Sequence, residues 1–95
     1  MSKYEIMFII KTTIEEKAVK ETVDELKKIL TSMGTKKLEL KELGQKELAY
    51  PIKKEISGFY YVLKCEASSE AVAEFERKAR INENLLRHLV IKEEE

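Results

Sequence analysis

The sequence predicts an α+β two-layer sandwich with element order β-α-β-β-α-β. A four-stranded antiparallel sheet carries both helices on one face. Three observations lead there. Apolar residues alternate with period two over residues 4–10, 36–52, 59–66 and 85–92. Two stretches with apolar residues at three- and four-residue steps lie between the first and second, and the third and fourth, of these segments. The chain has 95 residues, 43% of them hydrophobic, which suits one small domain over residues 1–95 with a single core.

In the first segment Tyr4, Ile6, Phe8 and Ile10 point one way, and Glu5, Met7 and Ile9 the other. Both sides are largely apolar, which marks a central strand. Thr12-Thr13 ends it, and Thr13 with Glu16, or Thr12 with Glu15, forms a capping box. A helix follows over about residues 15–33. Val19, Thr22, Val23, Leu26, Ile29, Leu30 and Met33 make its buried stripe, and Gly34 its left-handed terminus.

Residues 36–52 read as one long bent strand with a bulge or kink at Gly44. A hairpin turning at Gly44-Gln45 is the competing reading. Pro51 has no amide proton for a ladder, so this strand belongs at an edge. Residues 53–57 are the connecting loop, which Gly58 ends. The third strand follows, with Tyr61, Leu63 and Cys65 on one face and Tyr60, Val62 and Lys64 on the other. Ser68 or Ser69 caps a second helix whose stripe is Ala71, Val72, Phe75 and Ala79. Arg77, Lys78 and Arg80 complement its C-terminal dipole. After a link over residues 81–84 comes the last strand, with His88 on the helix side. Residues 93–95, three glutamates, fray. Right-handed crossovers place both helices on one face. The first and last strands are expected in the middle of the sheet. This is the ferredoxin-like arrangement.

Composition excludes several classes of function. One His and one Cys cannot supply a usual transition-metal site, and three isolated glycines make no phosphate loop. The many carboxylates read as solvated helix faces rather than as an acid–base pair. The chain is therefore expected to be no enzyme and to need no cofactor or metal. Lone Cys65 makes no internal disulfide and reads as a small buried hydrophobe. No secretory leader or membrane-length apolar run is visible, so the expectation is a soluble, cytoplasmic protein. Eighteen basic residues balance eighteen acidic ones, so bulk charge gives no support for nucleic-acid binding, although charges can segregate by face.

The sheet face without helices carries the functional signal. It should be polar if it met only water. Instead it holds Met7, Ile9, Tyr60, Val62, Leu89 and Ile91, with Lys64 and Arg87 among them and Lys3 and Lys92 near strand ends. Side chains worth roughly 1.5–3 kcal/mol each on burial are left over for a partner. The bland alternative is that loops and lysine stems shield the patch.

Leu43-Gly44-x-Lys46-x-Leu48-Ala49-Tyr50-Pro51-Ile52 resembles the signature of the bacterial small-subunit ribosomal protein six family. Lys3-Tyr4-Glu5, Gly58 with the aromatic run after it, and Arg80-Ile81-Asn82-Glu83-Asn84 with Arg87 fit the same family in order and spacing. The resemblance spans essentially the whole chain. It implies the same fold and a structural component of the small ribosomal subunit. It further implies binding to the central domain of small-subunit ribosomal RNA, in a heterodimer with small-subunit ribosomal protein eighteen. By matched position Lys3, Tyr4, Lys46, Arg80, Arg87 and Lys92 become the RNA-binding candidates. Met7, Ile9, Tyr50, Tyr60, Val62, Leu89 and Ile91 become the partner-binding candidates. The sequence departs from the family between the glycine and the leucine. Gln45-Lys46-Glu47 offers one basic residue where two are common.

Two other readings remain. Gly58-Phe59-Tyr60-Tyr61-Val62 partly mimics the base-stacking octamer of an RNA recognition motif, but Ser57, Tyr60 and Lys64 stand where that octamer wants other residue types. A ligand-binding or oligomerising regulatory domain would instead pair sheets with itself. The free strand edge leaves weak self-association open.

Overall fold

A computed structural model describes residues 2–52 and 54–93 of the chain. The elements are β1 (Ser2–Lys11), α1 (Glu16–Ser32), β2 (Lys36–Ile52), β3 (Glu55–Ala67), α2 (Ser69–Ile81) and β4 (Leu85–Glu93). All neighbouring strands run antiparallel, in the order β2-β3-β1-β4. This is the ferredoxin-like sandwich. The expected strand order needs one correction: β1 and β3 are central, and β4 lies at an edge. Within each strand–helix–strand half the two strands are parallel, and a strand of the other half slips between them. β3 therefore separates β1 from β2, and β1 separates β3 from β4. The third strand, apolar on both faces, carried that signal.

The core lies between the sheet and the two helices. Tyr4, Ile6, Phe8 and Ile10 of β1 meet Tyr61, Leu63 and Cys65 of β3, Leu26 and Leu30 of α1, and Phe75 of α2. Phe8 stacks on Tyr61 with ring centroids 5.2 Å apart and meets Phe75 at 6.3 Å. Burial pushes the Cys65 thiol pKa up, which suits a packing role over a reactive one.

α1 ends as its sequence suggests. Gly34 sits at φ 81, the Gly34 amide donates to the Thr31 carbonyl, and the Thr35 amide to that of Leu30. These are the two bonds of a Schellman cap. Its start differs from the expected capping box. Glu15 is the N-cap and makes no side-chain cap bond. The Thr13 hydroxyl donates instead to Glu55 at 2.7 Å, and Thr12 pairs with Ser57 at 3.0 Å. Both threonines thus tie the β1–α1 turn to the β2–β3 hairpin. In α2 the choice falls on Ser68, whose hydroxyl accepts from the Ala71 amide.

β2 is the long bent strand of 17 residues, with Gly44 at φ 88 and register shifts between Lys36 and Glu39, Glu42 and Gly44, and Glu47 and Ile52. The expected loop over 53–57 is not borne out at its end, because β3 already begins at Glu55, which pairs with Ile52. Lys53 lies outside the described residues, as do Glu94 and Glu95 of the expected frayed end, whereas Glu93 closes β4. Gly58 is no loop boundary. It sits inside β3, where an added Cβ would collide with Ile9 Cγ2. A side chain from β1 occupies the space, so any larger residue here must displace Ile9.

Candidate nucleic-acid and partner interface

The pairing register assigns every strand residue to a face, because residues directly opposite one another point the same way. On the face without helices the rows run across the sheet in sequence. At one end stand Lys36, Glu66, Lys3 and Glu93, then Glu39, Lys64, Glu5 and Ile91. The signs alternate along each row and between the rows. A bulge brings Lys37, at φ 53, against the same Glu66, with Nζ 3.7 Å from its carboxylate. This half of the face balances its own charge.

The other half does not. Its rows are Lys41, Val62, Met7 and Leu89; then Gly44, Tyr60, Ile9 and Arg87; then Lys46, Gly58 and Lys11. Four cations stand around an apolar centre, and no carboxylate shares these rows. Within it a shallow cleft of about 230 Å³ is lined by Met7, Ile9, Tyr60, Arg87, His88 and Leu89.

Two contacts shape this half. Lys46 Nζ lies 5.7 Å from the centre of the Tyr60 ring, a cation–π geometry that holds the ammonium over the aromatic face. Arg87 donates from a guanidinium nitrogen to the Tyr50 hydroxyl at 2.9 Å. Tyr50 belongs to β2 and Arg87 to β4, the two opposite edges of the sheet. Three strand spacings, roughly 14 Å, separate such edges. The two side chains therefore reach toward each other over the uncovered face.

The candidate residues divide on this map. Lys46 and Arg87 come together at the cationic end with Tyr50, Tyr60, Met7 and Leu89. Lys3 lies at the self-balanced end, opposite Glu66 and Glu93. Lys92 pairs with Tyr4 and so faces the helix side at the β4 edge. Arg80 stands on α2, with Glu76 at 3.9 Å, away from the uncovered face. Tyr4 is 8% exposed and belongs to the core. Among the apolar candidates, Tyr50, Leu89 and Ile91 are exposed, and Met7 and Tyr60 half-buried.

Ile9 and Val62 are buried although no helix covers them. Ile9 spreads over Gly58, and Leu86 closes from the other side. The expected apolar patch is therefore smaller than alternation alone suggests. β4 makes this possible. Its register with β1 shifts between Ile9 and Ile10, so Leu85 enters the main core while Leu86 is buried on the opposite face.

Sequence reasoning passed over Lys11 and Lys41. Lys11 was legible, since it continues the outward series Lys3, Glu5, Met7 and Ile9. Lys41 was not, because the bulges in β2 decide its face. Asn84 plays a structural part. Its side-chain amide donates to Thr22 on α1, its own backbone amide donates to Asn82, and its carbonyl accepts from Lys11. Among the described residues no helix is long and apolar enough to cross a membrane, and no cluster of His, Cys, Asp and Glu could hold a metal ion.

Comparison with known proteins bears on the family and the fold. The family model described as ribosomal protein S6 covers residues 3–92. The crystal structure of 30S ribosomal protein S6 from Thermotoga maritima superposes with a TM-score of 0.90 at 26% identity, covering 97% of this chain and 87% of that one. A protein from Arabidopsis thaliana shares the fold alone, with a TM-score of 0.62 and 15% identity over 100% of this chain and 95% of that one. The chain belongs to the ribosomal protein S6 family and is a protein of the small ribosomal subunit.

Proposed function

We propose that this protein is a structural, non-catalytic component of the cytoplasmic ribosome. In this reading it binds the central domain of small-subunit ribosomal RNA as a heterodimer with small-subunit ribosomal protein eighteen. The observation that carries the proposal is the unbalanced half of the uncovered face. Lys11, Lys41, Lys46 and Arg87 surround an apolar centre, while every other charge on that face has an opposite neighbour. Cations there meet phosphates, which position the protein without reading sequence. Tyr50, Leu89 and Ile91, 58%, 50% and 48% exposed, supply the apolar contact for the protein partner. RNA shape supplies the specificity. Net charge is zero, so the chain alone has little long-range attraction for RNA, and a basic partner must add it.

The test is a titration of labelled central-domain RNA with this protein, with the partner, and with both. Weak binding by either alone and tight, salt-sensitive binding by both is the expected result. Tight, salt-insensitive binding of short single strands by this chain alone would instead favour the base-stacking reading, and no cooperation between the two proteins would remove the heterodimer.

A further inference from the structure

The sheet has two edges, β2 and β4, and they are protected very differently. A free strand edge invites another strand, and folded proteins blunt it with proline, bulges and charge. β2 carries all three: Pro51, Gly44 and Lys37 in left-handed conformations, breaks in register, and frequent lysines and glutamates. β4 lacks such breaks between Arg87 and Glu93. Over that span it contains no proline or glycine and pairs without interruption, from Ile9↔Arg87 to Lys3↔Glu93. Among the described residues its outer edge meets no strand.

The same stretch is complementary to itself. We propose that two copies of this chain associate edge to edge through β4, antiparallel and centred on Val90, extending the two sheets into one. In this register Arg87 of each copy lies opposite Glu93 of the other, and Leu89 opposite Ile91. All four stand on the uncovered face. Opposite charges and apolar pairs directly across an antiparallel ladder both stabilise it. A slide by two residues in either direction sets Arg87 against Ile91 or Leu89 against Glu93. A slide by one residue sets the uncovered face against the helix side. One register therefore stands out. The contact is isologous and closes at two copies.

Arg87 spends one nitrogen on Tyr50 and keeps further donors for the carboxylate. His88 opposite Lys92 on the other side adds no attraction. A contact confined to one strand edge falls short of the roughly 1,200 Å² of a standard stable interface, so the dimer is weak and reversible. The inference does not rest on the RNA reading. Where both hold, the dimer is the state of the chain without its partners, because Leu89 and Ile91 serve both contacts.

Sedimentation equilibrium of the full chain, without RNA, from micromolar to millimolar concentration tests this together with amide chemical shifts over the same range. The expected result is a monomer–dimer equilibrium with concentration-dependent shifts along β4. Glu93→Lys, at an exposed strand end, should abolish the dimer, and so should Arg87→Glu. The double variant Arg87→Glu, Glu93→Lys should restore it. A monomer at every concentration, shifts confined to β2, species larger than a dimer, or a double variant that stays monomeric would each overturn the proposal.

Discussion

The two halves of the uncovered sheet face are built from the same four strands yet have opposite characters. Toward the start of β1 the rows alternate lysine and glutamate, so each charge has an opposite neighbour along the ladder and diagonally. Toward its end the acids stop, aromatic and aliphatic side chains take the centre, and four cations remain without a carboxylate in their rows. The first half satisfies itself. The second is furnished for something the chain does not contain. Total charge hides this, because 18 acidic residues cancel 18 basic ones over the whole sequence while none of the acids stands in these rows.

The largest expected effect contrasts the covered face with the apolar half of the uncovered one. Leu26→Ala, at 1% exposure in the core, should cost about 2–5 kcal/mol in denaturant unfolding. Leu89→Ala, half exposed, should cost under about 1 kcal/mol while weakening the partner complex. Similar costs at both positions would mean that the apolar half is ordinary core. Gly58→Ala comes next. The added methyl collides with Ile9 where the uncovered face seals itself, and should destabilise by about 1–3 kcal/mol. A neutral result would show that Ile9 turns away freely and that the patch is larger than described.

A binding contrast follows. Arg87→Ala should weaken the RNA–partner complex roughly tenfold, or about 1.4 kcal/mol. It should also lower the salt dependence by about one phosphate contact, with folding intact. Lys64→Ala, in the self-balanced half, should leave both nearly unchanged. If the two variants behaved alike, the division of the face would have no functional meaning. The smallest effect is Lys64→Glu. It places a third acid between Glu39 and Glu5, and should cost about 0.2–1 kcal/mol of stability at low salt, less at high salt.

Much of this was readable beforehand. The apolar stripe of α1, the Gly34 terminus, the Ser68 cap and the long bent β2 all follow from local rules. Each depends on residues within a few positions of one another. The identities of Met7, Tyr60, Leu89 and Ile91 as uncovered residues followed from period-two alternation. Thr12 and Thr13 were misread because a hydroxyl that can cap its own helix can equally bond a hairpin more than forty residues away. Ile9 and Leu86 were not legible as buried, because their shielding depends on a bulge in β4 and the missing side chain of Gly58. Val62 was not legible either, since it lies between Met7 of β1 and Lys41 of β2.

Taken alone, the chain specified its elements, their order and the faces of its regular strands, since period, capping and turn chemistry act over short range. Folding decided which strands lie in the middle, how the bulges set the face of Lys41, and which edge is left open. It also brought Tyr50 to Arg87 from opposite sides of the sheet. Those outcomes depend on how distant segments share space, and no local pattern records that.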